Sequence, residues 1–393
     1  MKTTVDNDLI EAARAIGPLI RDHADEAERE RRPPRAVFDA LADAGFLRML
    51  TPRSLGGLEI DPITFARIME EVSGFDSAAG WVLQIGNSAD WWCCRMPTEG
   101  TEEIYAGNPN ALIAAAFHPP MQATEVPGGY RVTGRGPLAS NIHDADWLMV
   151  TALIMDGDQP RMTGGAPEVI ALVCRAGEAE IIDTWYALGM RGTDSNDVAL
   201  ADVFVPTSRT FPLVPEFEPG AHYRGSLYRF PAMGEVGVVL APVALAVARS
   251  AITELIALAQ RKTPFGSAKP LRERTQAQTR IAMAEATLRS ARCLFFDTLS
   301  EAWERTLAGE PASLEQRADL LLAATHAVSS AAKTVELVYA TAGTSAIYTR
   351  SRIERHFRDA QVLKQHGFLS ESRYETVGQV YLGVPPEYGF VAF

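Results

Sequence analysis

The 393-residue chain is long enough for two or three domains, and its 47% hydrophobic and 22% charged residues are ordinary for a globular protein. A net charge of −12 argues against nucleic acid as a partner. Four scattered cysteines, with no C-x-x-C pair, suit a reducing compartment better than a disulfide framework.

Taken in chain order, residues 7 to about 110 read as helical. Val37, Phe38, Leu41 and Ala44 form an amphipathic stripe that Gly45 stops. Asp61-Pro62 starts a helix carrying Phe65, Ile68, Met69 and Val72 on one face, and Asp76-Ser77 starts another that runs through Trp81 to Trp91 and Trp92. The texture changes near residue 110. Ala111–Phe117 is a short apolar run, and Val126-Pro-Gly-Gly-Tyr130 reads as a hairpin turn. Trp147–Leu153, Glu168–Cys174 and Val198–Val205 read as further strands. After Pro206 comes a connection rich in Pro, Glu and Tyr. The remainder is helical, with helices expected over Ala241–Gln260, Arg274–Leu307, Leu314–Tyr339 and about Glu354–Leu369, enough for a four-helix bundle. The expected class is α+β: a helical domain over 1–110, a β domain over 111–215 and a helical bundle over 216–393.

The absence of a signal-peptide pattern points to a cytoplasmic protein. No apolar run is expected to be long enough to span a membrane. Neither paired metal-ligand spacing nor a nucleophile elbow nor a Walker loop is visible, so no metal is expected.

The most informative segment is Trp185-Tyr-Ala-Leu-Gly-Met-Arg-Gly-Thr-Asp-Ser195, followed by the strand that Pro206 ends. Gly189 and Gly192 are expected to supply unusual backbone angles. Thr193 and Ser195 offer hydroxyls to a ligand. Three other stretches accompany it: Phe46-Leu-Arg-Met-Leu-Thr-Pro-Arg-Ser-Leu-Gly-Gly57; Gly129-Tyr-Arg-Val-Thr-Gly134 with Ala139-Ser-Asn-Ile-His-Asp-Ala-Asp-Trp147; and Arg355-His-Phe-Arg-Asp-Ala360. In this order they resemble the acyl-CoA dehydrogenase superfamily, which implies an N-terminal helical domain, a middle β-barrel, a C-terminal four-helix bundle, a flavin cleft and a homotetramer.

Two branches of that superfamily compete. A dehydrogenase of an acyl thioester needs a carboxylate base, and the resemblance puts that position at Gly367, beside His366; a helix near Glu254 is the other location for such a base. The Arg-x-x-Phe-Gly motif of the dehydrogenases is one residue longer here, in Arg261-Lys-Thr-Pro-Phe-Gly266. Gly225-Ser-Leu-Tyr-Arg-Phe-Pro231, Lys262-Thr-Pro, Ser140 and the Arg358-Asp359 pair with a His seven residues on are similar instead to the oxygenase components of two-component flavin monooxygenases. That resemblance implies reduced flavin (FMNH2 or FADH2) from a separate NAD(P)H:flavin reductase, O2 as co-substrate, and a small, aromatic substrate. Alternatives are an acyl-CoA dehydrogenase-like FAD enzyme and a catalytically silent flavin-binding partner subunit.

Within this reading Ser140 is the candidate donor beside the flavin, and Asn141, Thr193 and Ser195 are further flavin-site candidates. His366 is the candidate acid/base, since an ordinary imidazole titrates near neutrality. Asp359 is expected to be structural, paired with Arg355 one turn away and about 10 Å from His366 on the same helix. His118, Trp91 and Phe368 are candidates for the substrate pocket. His143 is expected to point to solvent.

Overall fold

The computed structural model describes residues 5–392. Five helices come first: α1 (Asn7–Glu30), α2 (Arg35–Asp43), α3 (Pro62–Phe75), α4 (Ser77–Trp92) and α5 (Thr98–Tyr105). Their starts follow local chemistry. Asp6, Asp61 and Asp76 each accept hydrogen bonds from the first free amides of α1, α3 and α4, and Pro62 occupies the first turn of α3, where no amide hydrogen is needed.

Ten strands follow: β1 (Ile113–Val126), β2 (Gly129–Ala139), β3 (Trp147–Asp156), β4 (Gln159–Pro160), β5 (Met162–Thr163), β6 (Ala166–Pro167), β7 (Val169–Arg175), β8 (Glu180–Ile182), β9 (Asn196–Pro206) and β10 (Thr210–Pro212). One sheet runs β10-β7-β3-β1-β2-β9-β8 with β4 beside β3, while β5 and β6 pair separately. Its strand path has two ends, so the β domain is a sheet whose hydrogen bonds do not close a ring among the described residues. Only β1 and β3 pair in parallel within it. The β1–β3 register breaks between Ala116 and Met121, where Pro119 and Pro120 offer no ladder amide.

Five helices close the chain: α6 (Ala232–Arg261), α7 (Thr275–Leu307), α8 (Leu314–Ala342), α9 (Arg352–Leu363) and α10 (Arg373–Tyr381). Ser313 and Gln316 cap α8 reciprocally. Two expectations need correction. First, α6 begins well before Ala241 and runs through Pro242. It is long and apolar enough to cross a membrane, yet 83% of its most apolar stretch is buried inside this fold. It is the central core helix, packed on α3, α4, α8 and α9. Second, α9 ends at Leu363, short of His366. The helical core is continuous from α1 to α10, whereas the sheet keeps a second core of its own around Ala114, Val132, Leu148 and Val150.

Candidate active site

The loop before β9 is built by close approach. A Cβ on Gly189 would lie 2.5 Å from the backbone of Arg358, and one on Gly192 would lie 2.9 Å from the Cβ of Ala27. Neither glycine has positive φ. The left-handed residues are Met190 and Asp194, at φ 54° and 53°. The glycines therefore let the loop press against α9 and α1, a correction to the expectation of unusual angles.

Asp359 holds the loop in place. Its Oδ1 accepts from the Met190 amide at 2.7 Å and its Oδ2 accepts from Ser77 Oγ at 2.6 Å. It is structural, but its partner is not Arg355, whose guanidinium turns to Asp25 and Glu28 on α1. Arg358 completes the clamp: it donates to the Leu188 carbonyl at 2.9 Å and pairs with Glu28 and Glu354. On the other side, Asp194 binds the amide and ring of His143 at 2.9 and 2.7 Å. His143 is thus tethered and not merely solvent-facing.

The clamp aligns a run of hydroxyls. Thr193 Oγ1 donates to the Met190 carbonyl at 2.8 Å, and Ser195 Oγ lies 2.6 Å from Thr193 Oγ1. Ser140 Oγ lies 2.7 Å from Ser195 Oγ and accepts from Trp81 Nε1 at 3.0 Å. The direction follows from counting protons. A carbonyl only accepts, so the Thr193 proton is committed to Met190, that of Ser195 to Thr193 and that of Ser140 to Ser195. Ser140 is left with one lone pair and no free proton. It is placed to accept a hydrogen bond, which reverses the donor role expected for it. Trp81, not singled out in advance for this contact, is the donor that sets the relay. Next to Ser140, Asn141 is fully buried in a left-handed turn, and both side-chain polar atoms lack a protein partner.

His366 sits beyond α9, on the turn that follows it. Its ring meets Trp81 edge-on, with centroids 5.4 Å apart, which brings the two expected catalytic residues around one indole. Nδ1 accepts a weak bond from the Phe368 amide at 3.4 Å, so the hydrogen of the neutral ring resides on Nε2, which has no partner among the described residues. Burial lowers its pKa to about 4, so the ring is neutral at pH 7. That corrects the expectation of a histidine titrating near neutrality.

An aromatic wall continues from this point. Phe368 lies 5.5 Å from His366 and 5.1 Å from Phe390; Phe390 lies 5.6 Å from Trp92, and Trp92 lies 6.5 Å from Phe117. Trp91 is not part of it. Its ring is 1% exposed, stands edge-on behind Trp92, and donates to the Leu227 carbonyl, as a core side chain does. His118 is exposed at the register break of β1. Glu254 is part-exposed and pairs with Arg352, so it offers no buried base. A surface cavity of about 240 Å³ lined by Lys262, Arg274 and Arg280 lies away from this cluster, at the turn between α6 and α7.

Ser140's spare lone pair and Asn141's unpaired amide fit the edge of a flat heterocycle that carries both donors and acceptors, as flavin does. The comparisons agree. Residues 10–104 match the acyl-CoA dehydrogenase N-terminal domain, and residues 238–371 match the acyl-CoA dehydrogenase C-terminal domain. The indole-3-acetate monooxygenase of Pseudomonas putida is 34% identical over 95% of this chain and 93% of its own. The chain belongs to the acyl-CoA dehydrogenase superfamily, among its flavin-dependent monooxygenases. The oxygenase component of an FADH(2)-dependent resorcinol hydroxylase from Rhizobium sp. is 27% identical, covering 96% of this chain and 95% of that one. XiaF from Streptomyces sp., solved with FADH2 and glycerol, superposes with a TM-score of 0.90 at 23% identity, over 97% of this chain and 96% of its own. This monooxygenase uses reduced flavin and O2.

Proposed function

We propose that the chain is the oxygenase component of a two-component system, oxygenating a small, flat aromatic compound with reduced flavin delivered by a separate reductase. The observation that carries the reading is the convergence of the Trp81–Ser140–Ser195–Thr193 relay, the unpaired Asn141 amide and neutral His366 at one end of an aromatic wall. Reduced flavin, when bound, supplies the electrons that activate O2, of which one atom enters the substrate and the other leaves as water.

The residues divide the remaining work. Ser140 Oγ would accept a flavin N–H, while its own proton stays on Ser140 and is donated to Ser195. The Asn141 amide binds the neighbouring polar edge. The wall of Phe117, Trp92, Phe390 and Phe368 keeps water from the reacting atoms, which protects activated oxygen from loss as hydrogen peroxide. His366 Nε2–H donates a hydrogen bond to the substrate atom on which negative charge develops. A base with an imidazolium pKa near 4 takes a proton only from a strongly acidic centre, so hydrogen-bond donation suits this ring better than proton abstraction.

Four free cysteines, three of them buried, support a cytoplasmic enzyme, and family likeness supports a homotetramer. The test is to load the protein anaerobically with chemically reduced FMN or FAD, admit O2 with an aromatic substrate, and measure oxygenated product against hydrogen peroxide. Product formed without any reductase in the mixture is the expected result. Flavin that is instead bleached by an acyl-CoA, with no oxygen inserted, would sink the proposal.

A further inference from the structure

The first half of α6 is apolar except at one position. From Ala232 to Ala248 the only charged residue is Glu235, and its side chain is 1% exposed. Both carboxyl oxygens are buried without a hydrogen-bond partner. Ser88 and Trp92 on α4 are polar side chains beside it, yet neither stands in full hydrogen-bond geometry with the carboxyl. Arg95 is the nearby charge, but it forms no ion pair with Glu235; its guanidinium lies over the rings of Trp92 and Phe217, at 4.5 and 3.8 Å. A buried carboxyl without a well-formed hydrogen bond destabilises the fold, and the nearby Ser88, Arg95 and Trp92 offset only part of that cost.

Helix α4 shows where the carboxyl stands relative to the chemistry. Between Ser77 and Trp92 every residue is buried except Trp81, Ile85 and Ser88, which are only partly so. Their spacing of four and three puts them on one face, as a helix lining an internal space requires. Trp81 ends this row at Ser140 and His366. Ser88 ends it at Glu235. Seven residues of helix separate the two ends by about 10 Å. Trp92, which neighbours Glu235, also belongs to the aromatic wall that begins at His366 and runs through Phe368 and Phe390. The half-buried face of α4 therefore has Ser140 and His366 at one end, aromatic rings beside it and a buried carboxyl at the other end.

We propose that Glu235 determines substrate specificity: its carboxyl accepts a hydrogen bond from a ring N–H or phenolic O–H at the far end of a flat, two-ring aromatic substrate whose near end lies at Ser140 and His366. The inference rests on the monooxygenase reading and adds the substrate class to it. A fused bicycle with one polar substituent spans the length that α4 sets, and its donor satisfies the oxygen that the protein leaves bare. A ring system of the same shape without that donor leaves the carboxyl unpaired, and sites of this kind discriminate strongly against such analogues.

Indole and benzofuran are suitable probes, because they share size and shape and differ in one N–H. Their dissociation constants are measured on the full-length, flavin-loaded protein from the absorbance change of the bound flavin. Wild type should bind indole at least about 30-fold more tightly than benzofuran. Glu235→Leu should bring the two within about threefold, and Glu235→Gln, which keeps an acceptor oxygen in nearly the same volume, should retain part of the preference. Equal binding of both probes by wild type, binding of neither, or a preference that survives in Glu235→Leu overturns the proposal. If the Leu variant does not fold, Glu235→Met, which also removes the acceptor, should bring the two probes within about threefold, and a preference that survives there overturns the proposal. Oxygen insertion by wild type with reduced flavin is read separately, so failure of the monooxygenase reading is distinguishable from failure of the assignment to Glu235.

Discussion

A hydroxyl carries a single proton, and Ser140 already donates its own to Ser195. Replacing Ser140 by Ala removes the acceptor of Trp81 Nε1–H and leaves that part-buried donor unpaired, a loss of about 1–3 kcal/mol at most. The melting temperature should fall, and flavin affinity should fall with it. Trp81→Phe removes the donor and its acceptor bond together, so it should cost less stability than Ser140→Ala; calorimetry on both variants measures the order. His366→Asn should cut oxygenated product by at least about tenfold, with flavin binding changed by less than about threefold. Hydrogen peroxide yield and flavin titration report the two quantities separately.

Glu235 and His366 contribute to the pH dependence of stability with opposite sign. Burial raises the Glu235 pKa from 4.5 to about 8. Below pH 4.5 the carboxyl is protonated both folded and unfolded. As pH rises from 4.5 to 8 the unfolded chain loses this proton first, so stability falls. Glu235→Gln should therefore gain stability over wild type across that window, levelling above pH 8 at a few kcal/mol on an order-of-magnitude basis. Arg95 is the one charged group that faces Glu235 closely enough to oppose this shift. His366 acts in the other direction. With its pKa lowered from 6.5 to about 4, the unfolded chain binds the proton first on acidification, so stability falls from pH 6.5 toward 4. His366→Asn should flatten that limb of a melting-temperature profile.

At the scale of elements, α9 acts as a clamp on a loop that lies more than 160 residues earlier in the chain. Asp359 binds Met190 and Ser77 at once, so it ties the loop, α4 and α9 into one unit. Asp359→Asn keeps one acceptor oxygen for the Met190 amide, but it replaces the charged acceptor of Ser77 with an NH2 group and removes the carboxylate charge that both bonds use. The expected cost is about 2–4 kcal/mol, with weaker flavin binding as the specific signature. Gly189→Ala should show the same signature for a steric reason, since its Cβ would meet the Arg358 backbone. Thermal melts with and without flavin test both, and a variant that melts early but binds flavin normally would separate the clamp from the site.

How far this was legible follows from the same contacts. Ser140, Thr193 and Ser195 stood out because hydroxyls in a polar loop beside strands suit a ligand. Their direction was not legible, because it depends on a left-handed Met190 whose carbonyl ends the relay. Arg355 looked like the partner of Asp359 because four residues separate them on one helix. Tertiary packing gave Asp359 two partners that no local pattern reveals. His366 was found by resemblance, but its neutral state depends on burial against Trp81 and Phe368. Glu235 was missed although a signal existed: it is one acid in a long apolar run.

At the scale of the whole molecule, the buried α6 accounts for how a chain of this composition folds around an internal site. Its apolar surface is covered chiefly by α3, α4, α8 and α9, while α7 packs mainly against α8. Only eight of the 33 residues of α7 are buried, and Met283, Leu294 and Leu307 are exposed on it, with Ile256 exposed near the end of α6. Phe265, in the turn between α6 and α7, is fully exposed. Exposed large apolar side chains on the outside of a bundle are the kind of surface that copies of a chain cover in an oligomer. The proposed homotetramer predicts a sedimenting mass near four times 42.7 kDa. Replacing Phe265 and Met283 by Asp should shift the protein toward smaller species without lowering the melting temperature of the isolated chain, because neither side chain contributes to the core. A wild-type mass equal to one chain would remove the tetramer from the account while leaving the Trp81–Ser140–His366 site, which is built within a single chain, untouched.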